Sequence, residues 1–194
     1  MKKSVLDLRP TQMALGMKEV DYRVKKINNM KDKVLEDYLQ ERRVPIILGP
    51  KARVYLVDHH HLARSCWEVG VKEIPVEVKA DLSHLSYEEL WKVMQTSHWI
   101  YPFDQLGGGP HDPINLPENI KGLADDPYRS LSWMVREKGG YEKSEKPFSE
   151  FHWANFFRKN MRLHPVFDHL DTALDEALRL AKSEKAQHLP GCLK

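Results

Sequence analysis

Chemistry is concentrated in one short stretch, Asp58-His59-His60-His61-Leu62-Ala63-Arg64, directly behind the apolar run Val54 to Val57. A strand that leads into a helix leaves unpaired N–H groups and a partial positive charge at the junction, which suits a phosphate. Imidazoles and a guanidinium on the first turns add donors. A metal site is the competing chemistry. Adjacent helical residues point about 100° apart, so three consecutive histidines cannot converge on one ion. At most two of them could ligate, with Asp58 or a distant carboxylate. The plainest reading makes Asp58 an N-cap and leaves the histidines as part-buried polar residues satisfied by backbone. Spacing alone leaves all three readings open.

The elements that must position this stretch follow from periodicity and punctuation. Val44 to Leu48, a Gly49-Pro50 turn and Arg53 to Val57 predict a hairpin of central strands. Leu62, Ala63, Cys66, Trp67 and Val69 form a helical stripe closed by Gly70. Ile74 to Val78 predicts a further strand, and the strand–helix–strand order reads as a right-handed crossover in a mixed sheet. Upstream, the chain reads as extended through Leu8, turning at Arg9-Pro10-Thr11-Gln12 and irregular around Gly16. An amphipathic helix is expected over 30–42, on Met30, Val34, Leu35, Tyr38 and Leu39. Ser86-Tyr87-Glu88-Glu89 is a capping box flanked by Leu85 and Leu90, opening a helix to about Thr96.

Residues 99–117 carry four Pro and three Gly, the composition of a long loop. The pattern then turns helical. Asp126-Pro127 starts one helix and Gly139-Gly140 closes it, Ser149 opens an aromatic-rich one, and His164-Pro165 opens a last one with Val166, Leu170, Leu174, Ala177, Leu178 and Ala181. The expected class is α/β (α+β): a small mixed sheet with helices over 1–98, then a loop and helical extension over 99–194 packed on it.

The 194 residues, 41% hydrophobic, suffice for a substantial core. No run of 18 apolar residues and no secretory leader pattern appear, so no membrane span and a cytoplasmic location are expected. Cys66 and Cys192 cannot form a disulfide framework. The net charge of +2 hides an asymmetry: residues 1–53 hold 13 Lys or Arg against 7 Asp or Glu, and the remainder 17 against 21. A basic N-terminal third beside the Asp58–Arg64 stretch fits a small phosphorylated ligand better than wrapped DNA.

The order of Arg9-Pro10-Thr11-Gln12, a helix, a hairpin, and a strand running into Asp58–Arg64 resembles the ParB/sulfiredoxin superfamily, and within it the ParB-like nuclease family. Asp125-Asp126-Pro127-Tyr128-Arg129-Ser130-Leu131, Gly139-Gly140-Tyr141 and residues 147–158, Pro-Phe-Ser-Glu-Phe-His-Trp-Ala-Asn-Phe-Phe-Arg, are similar to that family's C-terminal pattern. The likeness covers roughly residues 5–160. It implies a nucleotide or phosphodiester at the Asp58–Arg64 helix start. His59 stands where the superfamily's phosphate box has Gly, His60 where it has Glu or a reactive Cys, His61 where it has Arg or His, Leu62 where it has Arg, and Arg64 where it has the later Arg. His60 in place of the cysteine argues against a sulfiredoxin reaction, since no thiolate is present there. Leu62 removes one phosphate contact. Resemblance to free-serine kinases of the superfamily places Glu19, in Gly16-Met17-Lys18-Glu19-Val20, as a general base; the competing reading is an exposed loop glutamate without a role.

These readings give the following expectations. Asp58, His59, His60, His61 and Arg64 bind phosphate, with Glu19, His60 and His61 as catalytic groups. Mg²⁺ arrives with a nucleotide, whose phosphates supply most of its ligands. The activity is phosphoryl transfer or hydrolysis, nuclease action included. The rival is a non-catalytic DNA- or protein-binding module. Asp104, His111 and Asp112 are at most second-site ligands, Gly107-Gly108-Gly109 reads as a connection, and Phe151, Trp153, Phe156 and Phe157 read as packing between the helical half and the sheet.

Overall fold

The computed structural model describes residues 1–161 and 170–193. Five strands form one mixed sheet: Lys2–Ser4 (β1), Leu8–Pro10 (β2), Val44–Leu48 (β4), Val54–Leu56 (β5) and Glu73–Asp81 (β6), in the order β1-β6-β4-β5-β2. Two further short strands, Ala14–Leu15 (β3) and Ala124–Asp125 (β7), lie outside it. Seven α-helices occur among the described residues: Met17–Asn28 (α1), Asp32–Gln40 (α2), His60–Glu68 (α3), Tyr87–Thr96 (α4), Pro127–Glu137 (α5), Ser149–Asn160 (α6) and Leu170–Ala181 (α7). No helix among these residues is long and apolar enough to cross a membrane.

The expected hairpin is present, with β4 antiparallel to β5 and Ile47 opposite Tyr55. The crossover reading needs correction. β6 pairs in parallel with β4, not with β5, so α3 links two strands that run in opposite directions with β4 between them. The handedness rule for parallel crossovers therefore does not apply to β5-α3-β6. β2 is parallel to β5, with Arg9 opposite Tyr55, and β1 closes the far edge antiparallel to β6. The N-terminal helix pattern also differs. The helix expected over 30–42 is present as α2, and an additional helix, α1, precedes it, so the stretch after Gly16 is helical rather than irregular. Met17, Val20, Val24 and Ile27 carry that signal at spacings of 3, 4 and 3. Val20 and Ile27 are buried.

The chain forms two compact units, residues 1–15 with 20–124, and residues 16–19 with 125–194. The expected division near residue 98 differs from this, because the 99–124 segment is held within the sheet-bearing unit. In that unit Arg9 Nη2 donates to the carbonyls of Leu116 (3.2 Å) and Ile114 (3.4 Å). Ile47, Tyr55, Leu90, Met94, Ile100 and Leu116 form a buried cluster there. The capping box at α4 is formed as expected: Glu89 N–H donates to Ser86 Oγ at 3.3 Å and Ser86 N–H to Glu89 Oε2 at 2.9 Å.

The second unit is built on α5, α6 and α7 around Trp153, which is fully buried. Its ring stacks on Tyr141 at 4.2 Å, and its indole N–H donates to the Pro190 carbonyl at 2.8 Å. Phe156 and Phe157 pack on it with Ala173, Ala177 and Ala181. Trp153, Phe156 and Phe157 thus form the core of the helical unit itself, because aromatic side chains at helical spacing meet the apolar stripe of the neighbouring helices. The helix expected to open at His164-Pro165 is present from Leu170; His164, Pro165 and Val166 lie outside the described residues. Trp153→Ala removes both the stacked ring and a satisfied donor, and is expected to cost about 3–5 kcal/mol in chemical denaturation followed by circular dichroism.

Candidate functional site

α3 opens without a side-chain cap. Its N-cap is His59, held left-handed at φ 62° and ψ 28°, and Asp58 Oδ1 accepts from the His59 amide at 2.6 Å. Asp58 is therefore one residue too early to be the N-cap, which corrects the simplest reading of the sequence: its carboxylate turns onto the backbone of the capping residue, not onto the first turn of the helix. The left-handed conformation is unusual for a residue with a side chain and is held here by the surrounding contacts. His59 Nδ1 is buried without a hydrogen-bond partner, and the residue as a whole is half-buried.

The three imidazoles have three different environments. His60 is 2% exposed and points inward, its Nε2 accepting the Thr11 amide at 3.2 Å. Thr11 in turn donates its hydroxyl to the Leu56 carbonyl at 2.8 Å. Burial lowers the His60 pKa to about 3; Asp58 opposes that shift, and His61 and His59 reinforce it. His60 is thus a neutral acceptor that ties the end of β2 to the start of α3. It cannot supply positive charge to a phosphate from that position, which corrects that part of the expectation. His61 is half-buried on the next position, its carbonyl accepting from Ser65 Oγ at 2.7 Å.

Arg64 is committed within the fold. Its Nε pairs with Glu68 at 2.7 Å, one turn on. Its Nη1 donates to the carbonyl of Leu123 at 3.2 Å and reaches those of Ile120 and Lys121 at 3.4 and 3.5 Å. Its guanidinium also lies 5.1 Å from the Trp67 ring centre. Arg64 therefore clamps the end of the 99–124 segment onto α3, and a phosphate contact by Arg64 would have to compete with these bonds.

The loop residues named as second-site ligands shape the loop instead. Asp104 Oδ1 accepts the amides of Leu106 and Gly108, each at 2.9 Å, and Oδ2 meets His111 Nε2 at 3.0 Å. Burial works to raise the Asp104 pKa, but these bonds outweigh it and hold the carboxyl below its usual range. Asp112 caps the short turn Pro113–Asn115 through the Ile114 amide. Among the described residues no group of three or more His, Cys, Asp or Glu is arranged to hold a metal ion.

Glu19 is neither exposed nor in a loop. It lies in the first turn of α1, 4% exposed, with Arg129 Nη2 at 3.5 Å. Arg129 also pairs with Glu150, which pairs with Arg136, so carboxylates and guanidiniums alternate along a chain that runs from buried Glu19 and Arg129 to part-buried Glu150 and Arg136. The first turns of three helices supply Glu19 (α1), Arg129 (α5) and Glu150 (α6), and the last turn of α5 supplies Arg136. Gly16 permits the close approach, since a Cβ there would lie 2.6 Å from the Ser130 nitrogen. Beside the chain, Asp126 caps α5 by accepting from the amides of Tyr128 and Arg129, and its Oδ2 receives Arg158 at 2.6 Å. Burial raises the Asp126 pKa to about 6 against the pull of Arg158. Arg129, Arg136, Glu150 and Arg158 were not singled out from the sequence as site residues, although Arg129, Glu150 and Arg158 sit inside the C-terminal pattern quoted above.

A folded-state pKa below the ordinary value means that the unfolded chain takes up the His60 proton first. Stability should therefore fall as pH drops through 6.5 and continue falling toward about 3. His60→Gln keeps an acceptor for the Thr11 amide without a titratable ring. In urea titrations across this range its stability should fall less steeply than that of the native protein; parallel slopes would show that His60 is not the buried neutral acceptor described.

A model of the family described as "Putative ParB-like nuclease" matches residues 1–159. No curated protein matches the sequence. Among solved structures, the crystal structure of protein Atu1540 from Agrobacterium tumefaciens is similar to this one with a TM-score of 0.90 and 40% sequence identity, covering 100% of this chain and 97% of that one.

Proposed function

The chain belongs to the ParB-like nuclease family, and on that premise we propose that it binds a nucleotide or phosphodiester through a phosphate at the start of α3 and acts there by phosphoryl transfer or hydrolysis. The observation that carries this reading is the uncapped opening of α3: no side chain caps it, and the one carboxylate at hand, Asp58, is turned onto the His59 amide. A helix that begins in this way directs its first amides and its dipole at an anion.

In this reading His59 and His61, both half-buried beside the start of α3, donate to the phosphate or move a proton. His60 sets the position of the helix start and stays neutral. Asp58 orients His59. Glu19 as general base is carried by resemblance alone; its carboxylate lies 3.5 Å from Arg129 Nη2. If a nucleotide is the ligand, Mg²⁺ arrives with it and draws most of its ligands from the phosphates. A second reading, a non-catalytic binding module for DNA or protein, is favoured by one observation: Arg64 is already occupied by Glu68 and three carbonyls.

Titration calorimetry with ATP, ADP and CTP, each with and without Mg²⁺, and cleavage of single- and double-stranded DNA and RNA test the proposal. Millimolar or tighter nucleotide binding, or cleavage, should weaken at least tenfold in His59→Ala/His61→Ala. Neither binding nor cleavage by the native protein would sink the reading, and salt-dependent DNA binding without turnover would favour the module.

A further inference from the structure

A second cluster of polar groups lies in the sheet-bearing unit, at the tip of the β4–β5 hairpin, and none of the roles above uses it. Tyr55 is fully buried at the centre of β5, yet its hydroxyl has no hydrogen-bond partner. The Tyr87 hydroxyl, at the start of α4, is likewise buried and unpartnered. A buried hydroxyl left unmatched destabilises the fold, and here two such groups lie in one region of the free protein. Burial pushes the Tyr55 pKa up to about 12, with Tyr87 and Glu118 raising it and Arg53 lowering it, which places these groups within electrostatic reach of the Tyr55 hydroxyl.

Two cations stand over the same spot. Lys51 Nζ lies 5.5 Å and the Arg53 guanidinium carbon 5.6 Å from the centre of the Tyr87 ring, and both residues are exposed. The backbone that presents them is strained: Lys51 and Ala52 are consecutive non-glycine residues at φ 55° and 57°. Strain of this kind persists where the surrounding structure requires it and is concentrated at ligand sites. Gly49 completes the tip, since a Cβ there would lie 2.5 Å from the Tyr55 ring. Glu118, the acid whose charge bears on Tyr55, is 3.5 Å from buried Arg9, whose Nη2 offsets it.

We propose that the Gly49–Arg53 hairpin tip is a binding site for the phosphate of a small monoester, gripped by Lys51 and Arg53 and receiving hydrogen bonds from the Tyr55 and Tyr87 hydroxyls. Four donor groups, two of them cationic, match a dianion with three terminal oxygens better than a carboxylate with two. Lys51 and Arg53 cover the Tyr87 ring in the free protein and swing off it to hold the ligand. This site is separate from the start of α3 and does not depend on the function proposed there.

The test uses the full chain with inorganic phosphate as the probe, read by calorimetry and by thermal melting. A phosphate site should survive in His59→Ala/His61→Ala, and Lys51→Gln/Arg53→Gln should weaken it tenfold or more. Tyr55→Phe/Tyr87→Phe should melt at or above the native temperature without phosphate and lose most of the stabilisation that phosphate confers. The proposal is overturned if His59→Ala/His61→Ala abolishes all phosphate binding, an outcome that leaves the α3 reading standing. It is also overturned if the tyrosine pair melts lower than the native protein without phosphate, or if phosphate affinity is unchanged in both hairpin variants. If phosphate binding persists undiminished in His59→Ala/His61→Ala but is lost in the hairpin variants, the α3 reading fails and this one holds.

Discussion

A single buried imidazole organises the sheet-bearing unit. His60 can accept the Thr11 amide only while it is neutral, and it is neutral because burial disfavours its charged form. That bond joins the end of β2 to the first residue of α3, and Thr11 extends it to the Leu56 carbonyl at the end of β5. Two parallel strands and one helix therefore meet at one junction. The left-handed His59 and the half-buried His61 lie on either side of it. Three adjacent histidines are thereby separated in role: one is part of the framework, and two border the helix opening.

The helical unit depends on a different constraint. Three helices bring their first turns together, and an acidic residue in a first turn is favoured by the helix dipole. Bringing buried Glu19 and part-buried Glu150 together requires compensating charge, which Arg129 and Arg136 provide in alternation. Removing one partner from such a chain leaves an unpaired buried charge, a large penalty compared with the modest net value of the intact pairs. The arrangement accounts for Asp126, Arg129, Glu150 and Arg158 being scattered through two separate stretches of the C-terminal pattern and yet acting as one unit.

Legibility in the sequence varied with the range of the interaction. The capping box at Ser86, the glycine stops at Gly70 and Gly139 and the Asp126-Pro127 start depend on groups within four residues of one another, and each is read directly from residue order. The β4–β5 hairpin is of the same kind. α1 was obscured because Gly16 and the polar residues around its stripe suggested a loop, although its apolar spacing was present. Asp58 illustrates the limit within a local motif: an acid one residue before a helix looks like a cap, and only the left-handed His59 shows that it is not.

Taken alone, the sequence determined the α/β class, most element boundaries and the family, because these depend on periodicity, capping and local motif. The tertiary structure alone decided which histidine is buried, that Arg64 is a clamp on the Ile120–Leu123 carbonyls, that Glu19 sits in an ion chain, and that Tyr55 and Tyr87 have no partner for their hydroxyls. Each of these is set by groups that lie far apart along the chain, such as Thr11 with His60 or Glu19 with Arg129. A residue's protonation and hydrogen bonding depend on such neighbours and on exclusion of water, and neither quantity is encoded in the spacing of residues along one segment.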